Sequence, residues 1–161
     1  MKRFSKLLSS LIAVYLCLSL TVPPGSSLAS ELNPSGALTS PPPIIFSLLG
    51  FFDPSFIYLD QGDSSSVDNG NQTVTINVST VAKQTVASIG ASIYLEKWSG
   101  SAWVQVGSPA HLSASNKMIF AGQTTFSVVS GYYYRARTVH WTSHSGVYEQ
   151  GERLTNNILA S

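Results

Sequence analysis

Histidines and paired carboxylates are the side chains of this 161-residue chain that best suit acid–base or metal chemistry. His140 and His144 lie four positions apart, a spacing that would place two metal-binding imidazoles on one face of a helix. The residues around them alternate as in a strand, where four positions span about 13 Å, too far for one ion to bridge. Glu149 and Glu152 form a candidate carboxylate pair for hydrolysis. We therefore predict no metal site, and keep as an alternative function a hydrolase or hydrolase accessory that uses both glutamates and His140.

The sequence motifs of the common catalytic centres are absent. There is no Gly-x-Ser-x-Gly nucleophile elbow, Walker A loop, dinucleotide-binding fingerprint or His-Glu-x-x-His helix. Ser127, Ser143 and Ser145 share the chain with three histidines, but their spacing is not that of a catalytic triad. We expect the histidines, His111 included, to be exposed residues at strand ends. The sequence predicts a protein that is not an enzyme, has no catalytic residues and needs no cofactor.

Acidic and amide side chains are concentrated between positions 60 and 71. Asp60, Asp63 and Asp68 are followed by Asn69 and Asn71, and hard oxygen ligands of this kind suit calcium. Their spacing matches no EF-hand, and Asp and Asn are also ordinary turn formers. We predict a turn-rich loop here and leave calcium binding open.

Large aromatic rings are the remaining candidates for a site. Trp98, Trp103, Tyr133 and Trp141, together with Tyr148, fall at positions predicted to point outward or to end a strand. Flat exposed rings bind sugars, peptides or other apolar surfaces. The alternative is structural, since cross-strand aromatic pairs also cover an open sheet edge. We take the first four as candidate binding residues.

Alternation between apolar and polar residues dominates the chain after position 56. Such runs occur at residues 56–59, 72–79, 87–98, 116–121, 124–129, 132–141 and 147–159, with turn residues about every ten positions. No window offers an amphipathic helix of three turns. This pattern predicts an all-β domain, an antiparallel β-sandwich of the Ig or fibronectin type with about seven strands.

One hairpin can be assigned in register. Gly100 and Ser101 fit the two-residue loop of a type II′ turn, which pairs Trp98 with Trp103. Glu96 then faces Gln105. This register separates an apolar face from a face that carries both tryptophans, whereas a slip of one residue would mix them. The apolar face is predicted to hold Ile93, Leu95, Val104 and Val106, and the other face Tyr94, Glu96, Gln105 and the two tryptophans.

A tyrosine-rich strand follows Gly131. Its even positions, Tyr132, Tyr134 and Ala136, are predicted to point inward, and its odd positions, Tyr133, Arg135 and Arg137, outward. A tyrosine early in a penultimate strand, whose hydroxyl reaches back to a backbone group, is the tyrosine corner of Ig-like sandwiches. The sequence leaves open which tyrosine has that role.

The N-terminus has the parts of a secretory signal peptide. Residues 2–6 are positively charged, residues 7–22 are apolar, and Ser27 and Ala29 are small residues at positions −3 and −1 of a cut before Ser30. The apolar stretch is short for a membrane anchor. We predict a cleaved signal peptide at 1–29, a Pro-rich linker and apolar segment at 30–53, and the β-sandwich at 54–161. The protein is expected to be secreted, with no membrane span after cleavage.

Charge and cysteine content exclude several classes of partner. Cys17 lies in the predicted leader, so the exported chain would have neither disulfides nor thiolate zinc sites. Beyond the leader, six basic residues face eight acidic ones, a balance that makes a poor nucleic-acid binder. The sequence does not decide whether the apolar residues 44–52 form a strand or a short helix, nor the oligomeric state.

Two blocks of sequence carry a resemblance to a known group. These are Leu95-Glu96-Lys97-Trp98 with Trp103, and Gly131-Tyr132-Tyr133-Tyr134-Arg135 with His140, followed by Glu149 and Asn156. From about Pro54 onward the chain resembles small secreted proteins of Gram-positive, spore-forming bacteria that share a domain of unknown function. The resemblance implies secretion and an all-β domain, and it brings no activity or site residues.

Together these patterns predict a secreted, non-enzymatic β-sandwich module. Its expected partner is cell-envelope polysaccharide or protein, bound through exposed aromatic rings. Besides the hydrolase alternative, a second alternative is a structural, self-assembling extracellular protein in which the apolar residues 44–52 pair with another chain.

Overall fold

The computed structural model describes residues 36–44 and 50–161, and within them the chain is built from antiparallel strands without a helix. The predicted signal peptide at 1–29 lies outside the described residues. No helix in the described part is long and apolar enough to span a membrane. The prediction of an all-β sandwich-like fold with seven strands is confirmed. The strands are β1 (Leu59–Asp68), β2 (Thr73–Trp98), β3 (Trp103–Gln105), β4 (Ala110–Ser127), β5 (Tyr133–His144), β6 (Val147–Leu154) and β7 (Ile158–Leu159).

Strand β2 organises the fold because it takes part in both layers of the sandwich. Its N-terminal half pairs with β1 and with the C-terminal half of β4, which gives a three-stranded layer. Its C-terminal half pairs with the N-terminal half of β4 and with β5, and β6 extends this four-stranded layer. The register between β2 and β4 shifts between Val81 and Val86, where the chain passes from one layer to the other.

Two strands are longer than the sequence pattern predicted. Residues 72–79 and 87–98 belong to one 26-residue strand, and the runs on either side of Gly122 belong to the 18-residue β4. The residues between the first two runs, 80–86, include no glycine or proline. Because nothing in that stretch ends an extended conformation, the strand bends through an irregularity in its pairing instead of breaking.

The core lies between the two layers and follows the predicted alternation. Ile93 and Leu95 are buried, as expected from the hairpin register, and Tyr134 and Ala136 of β5 are buried beside them. Each fully buried Ile or Leu contributes about 1.5–3 kcal/mol to folding. The other buried apolar residues of this cluster are Val74, Ile76, Val78, Ala82, Val86, Ile89, Ala91, Phe120, Val128 and Ala160.

The predicted hairpin forms in the expected register. Trp98 pairs with Trp103 and Glu96 with Gln105, and Gly100 at the turn has a φ of 99°, a conformation that favours glycine. The backbone N–H of Val106 donates to the carbonyl of Leu95, which continues the pairing beyond β3. Val104 departs from the prediction: although it lies on the apolar face, it is half exposed because β3 lies at the sheet edge.

The prediction of a turn-rich loop at 60–71 is wrong. Residues up to Asp68 form β1, and the turn is confined to residues 69–72, where Gly70 and Gln72 have positive φ values. The strand is rich in serine, and pairing with β2, rather than an apolar alternation of its own, holds it extended. The Asp68 carboxylate accepts hydrogen bonds from Gly70 and Ser161. Among the described residues, no three His, Cys, Asp or Glu side chains are placed to hold one metal ion.

Residues before β1 also contact the sandwich. The aromatic ring of Phe52 lies against Gly62 and Gly151, at both of which a Cβ atom would collide with the ring. The guanidinium of Arg153 covers it at 3.9 Å from the ring centroid. Phe51 forms an isolated antiparallel bridge with Gln61, so residues 51 and 52 extend the edge of the three-stranded layer. The sequence left the conformation of residues 44–52 open. Residues 51 and 52 of this segment lie beside β1, and residues 45–49 lie outside the described ranges.

Candidate functional site

The outer face of the four-stranded layer carries most of the predicted binding residues. Opposed residues of an antiparallel pair point to the same face, so the strand pairings define the rows of this surface. One row joins Tyr94 to Arg137, and another joins Gly90 to Trp141 and Gln150. The rows divide the face into an end near the β2–β3 hairpin and an end near Trp141.

The hairpin end of this face is held by contacts within the protein. Arg135 lies over the ring of Trp103 at 4.3 Å, and Arg137 lies over the ring of Tyr94 at 4.2 Å from ring centroid to guanidinium carbon. The carboxylate of Glu96 joins both guanidinium groups, with N–O distances of 2.8 Å and 3.6 Å. Cation–π and ionic contacts within the protein thus engage Tyr94, Glu96, Trp103, Arg135 and Arg137.

Trp98 and Tyr133 are buried, contrary to the exposure expected of rings at outward positions. They are 7% and 8% exposed. The indole N–H of Trp98 donates to the carbonyl of Ser40 at 3.1 Å, and the backbone N–H of Leu38 donates to the carbonyl of Gly131 at 2.7 Å. Residues from before the sandwich therefore cover this end of it, and the Trp98–Trp103 pair packs in a structural contact, with ring centroids 5.3 Å apart.

Trp141 lies at the other end of the face in a different environment. Its indole stacks with the ring of Tyr148, with centroids 6.1 Å apart and an angle of 25° between the planes. Tyr148 is 58% exposed and its hydroxyl contacts the side-chain oxygen of Gln150 at 3.3 Å. Partial burial, and secondarily the nearby Tyr94, raises the pKa of the Tyr148 hydroxyl above the ordinary value of 10, and the group is a protonated donor at neutral pH. The two rings give a nearly parallel, partly exposed aromatic pair.

Gly90 allows the indole of Trp141 to approach the backbone of β2 closely. A Cβ atom at position 90 would lie 2.9 Å from Cζ2 of Trp141, closer than real Cβ contacts allow. Five residues at outward positions of the same face are small and hydroxylated, and they lie alongside Val139 and His111: Ser88, Ser92, Ser113, Ser115 and Ser143. We call Trp141, Tyr148, Gly90 and these serines the Trp141 platform. The sequence analysis named the tryptophan but missed the glycine and the serines, which belong to the surface only through the pairing of β2 with β4 and β5.

The three residues of the hydrolase alternative do not converge. Glu149 and Glu152 are three positions apart on β6, and an odd separation in a strand places side chains on opposite faces. The carboxylate of Glu152 pairs with Arg137 on the outer face at 3.0 Å, whereas Glu149 is largely buried on the inner side. The sequence alone could have predicted this separation, because both glutamates fall in a run predicted to be a strand and are three positions apart.

Glu149 anchors the chain that leads into β1. Its two carboxylate oxygens accept the backbone N–H groups of Ile57, Tyr58 and Leu59 at 2.5–2.8 Å. Burial alone would raise the pKa of this carboxyl, but the three N–H groups, with help from Lys83, hold its pKa below the ordinary 4.5. The group is therefore an ionised anchor rather than an acid poised to donate a proton.

His140 is a core residue, contrary to the prediction of an exposed histidine at a strand end. It is fully buried in the middle of β5, with Nδ1 2.8 Å from the Thr80 hydroxyl and Nε2 3.0 Å from the Thr138 hydroxyl. Burial, and secondarily the charge of Arg153, lowers its pKa to about 4.

The other two histidines lie at the surface and near a strand end. His111 is exposed, as predicted, and its Nδ1 lies 2.8 Å from the Ser92 hydroxyl. His144, the last residue of β5, accepts the backbone N–H of Ala87 at 3.0 Å. Both ring contacts are hydrogen bonds within the sheet, so neither places a histidine beside Glu149 or Glu152.

Comparison with known proteins gives a likeness in structure only. No family model and no curated protein sequence matches the chain. The solution structure of CsgH from R. palustris matches with a TM-score of 0.33 and 14% identity, over 56% of this chain and 89% of that one. A crystal structure of a protein from Archaeoglobus fulgidus matches with a TM-score of 0.33 and 11% identity, over 64% and 98% of the two chains. Both likenesses are too distant to carry an inference about function, and the resemblance to the Gram-positive group stays a prediction.

Proposed function

We propose that the protein is a secreted, non-catalytic module that binds a neutral polysaccharide of the cell envelope on the Trp141 platform. The observation that carries this proposal is the nearly parallel aromatic pair: the indole of Trp141 lies close to Gly90 and stacks with the half-exposed ring of Tyr148. Secretion is inferred from the signal-peptide pattern of residues 1–29.

The chemistry of the platform favours a sugar over a charged ligand. A pyranose ring presents an apolar face that packs on a flat aromatic ring, and hydroxyl groups at its rim that need donors and acceptors. The surrounding serines and Gln150 supply such groups, and they carry no charge. The charged residues of the same face, such as Arg137 and Glu152, are paired with each other.

Among the four aromatic residues predicted to bind, the structure favours Trp141. Trp98 and Tyr133 are buried, and Trp103 lies under the guanidinium of Arg135. A ligand at the hairpin end would have to displace contacts that hold the fold, whereas a ligand at Trp141 would cover rings that are already partly exposed.

The proposal is tested by binding to insoluble envelope polysaccharide. Protein expressed from the full sequence and purified is mixed with cell-wall glycan, and the unbound fraction is measured after sedimentation. We expect binding that is lost, by at least about tenfold in affinity, when Trp141 and Tyr148 are both replaced by alanine, because each aromatic anchor of a small site is worth about 1 kcal/mol or more.

A matched control comes from the other layer. Phe51 is an aromatic residue that is 68% exposed at the edge of the three-stranded layer. Phe51→Ala should leave glycan binding unchanged. Equal loss of binding in this variant, or full binding by the Trp141→Ala/Tyr148→Ala protein, would show that the platform is not the site.

A further inference from the structure

Strand β4 leaves one edge of the sheet open along its length. It pairs with β2 on one side, and among the described residues no other strand contacts it. On an edge strand, every second residue directs its N–H and C=O groups away from the sheet, where they are free to pair with another strand.

The C-terminal half of β4 lacks the features that usually protect an edge. Natural edges carry charges, prolines or bulges. The register shift with β2 lies between Val81, opposite Ile119, and Val86, opposite Lys117, and the positive φ of Asn116 (55°) lies just before it, so the irregularity is confined to the middle of the strand. Residues 119–127 contain no charged side chain and no proline.

The alternation of this half gives it a self-complementary pattern. Phe120 and Phe126 lie on the inner side, and Phe126 is only partly buried because it is at the rim of the core. Ile119 on the outer side is 58% exposed. An uncharged edge with apolar side chains near both ends is best matched by another uncharged strand with apolar side chains near both ends. Residues 119–127 of a second copy are such a strand.

We propose that residues 119–127 pair antiparallel with the same residues of a second copy, about a two-fold axis that passes beside Gln123. In this register Phe120 of each copy lies opposite Phe126 of the partner subunit. The two equivalent pairs cover the rim of the core in both copies. A shift of one residue would place the inner face of one copy against the outer face of the other. A shift of the axis to position 122 or 124 would separate the phenylalanines. The positive charge of Lys117 stays outside the paired residues.

The first test is association in solution. Sedimentation velocity of the protein expressed from the full sequence should show a monomer–dimer equilibrium that depends on concentration. Gln123→Lys places two ammonium groups opposite each other at the axis, and should weaken the dimer by at least about tenfold. Ser115→Lys adds the same charge to the exposed outer face of the other half of β4, and should leave the dimer unchanged. Thermal melts show that both variants are folded.

The second test fixes the register. In a Cys17→Ser background, which removes the single cysteine of the sequence, Gln123→Cys should give a covalent dimer with a short bismaleimide, and Ser115→Cys should not. The proposal is overturned by a monomer at every concentration, by a dimer that Gln123→Lys leaves intact, or by equal cross-linking at position 115. Binding of a peptide of different sequence to a monomeric protein would assign the edge to another partner and also overturn it.

Discussion

The hydroxyl of Tyr134 accepts a hydrogen bond from the backbone N–H of Val129, five residues earlier, at 3.0 Å. Tyr134 is at the start of β5 and is 2% exposed, so this contact is the tyrosine corner of an Ig-like sandwich. It holds the connection between β4 and β5, in which Gly131 has a φ of 84° and donates its N–H to the carbonyl of Ala160. The turn is thus held by Tyr134 and also by Ala160, the residue that follows β7.

Removal of this hydroxyl should destabilise the fold without changing its shape. Tyr134→Phe keeps the ring in the core and leaves the N–H of Val129 without its partner, which costs about 1–2 kcal/mol. Tyr148→Phe is the control, since its hydroxyl is at the surface, and it should cost less than about 0.5 kcal/mol. Urea unfolding of the two variants measures the difference, and equal stabilities would argue against a corner at Tyr134.

Local patterns in the sequence were sufficient to predict much of the fold. The Trp98–Trp103 register follows from a two-residue turn, and the burial of Ile93 and Leu95 follows from alternation along one strand. These features depend on residues close in sequence, so their physical causes are contained in short segments. The existence of a tyrosine corner was predicted in the same way, and the structure assigns it to Tyr134.

Trp98 should be essential for stability rather than for binding. Its side chain is 7% exposed and bonded to Ser40, so Trp98→Ala leaves a cavity and should cost about 3–5 kcal/mol. Trp103→Ala removes a half-buried ring and its contact with Arg135, and should cost about 1–2 kcal/mol. Thermal melts measure both. Small, equal losses would mean that residues 36–40 do not cover the indole in solution.

Contacts between distant residues are what the sequence could not reveal. Trp98 is covered by Ser40, 58 positions earlier, and Glu149 bonds to backbone groups about 90 positions away. In both contacts the partners are backbone groups, a carbonyl in one and three N–H groups in the other. Every residue has a backbone carbonyl and nearly every residue an N–H, so the sequence contains no motif that marks these partners. The same reason explains why Gly90 was missed: its role exists only once β5 lays Trp141 across it.

His140 should make the protein less stable as the pH falls from 6.5 to about 4. Its pKa is about 4 in the folded chain and 6.5 when exposed, so in this range the unfolded chain binds a proton that the folded chain does not. Stability therefore rises with pH across the window, by on the order of 3 kcal/mol in total. Glu149 contributes stability that is present above 4.5 and is lost only below it, as the pH falls through its lowered pKa.

The pH effect is assigned to His140 by substitution. His140→Gln keeps a polar side chain of similar size between Thr80 and Thr138, and should flatten the dependence of the unfolding free energy on pH between 4.5 and 6.5. His111→Gln, at an exposed position, should leave the slope as it is. Chemical unfolding at several pH values gives both curves. A slope that survives His140→Gln must come from another group.

Glu149 should matter through the stability of the fold and not through catalysis. A glutamine at position 149 has one acceptor oxygen for the N–H groups of Ile57, Tyr58 and Leu59, and its amide N–H₂ would face donors. Glu149→Gln should therefore cost about 2–4 kcal/mol in urea unfolding at neutral pH. Glu152→Gln alters an ion pair whose carboxylate side chain is 53% exposed, and should cost less than about 1 kcal/mol. If the two variants were equally stable, Glu149 would not anchor the entry to β1, and a role for its carboxylate in chemistry would have to be reconsidered.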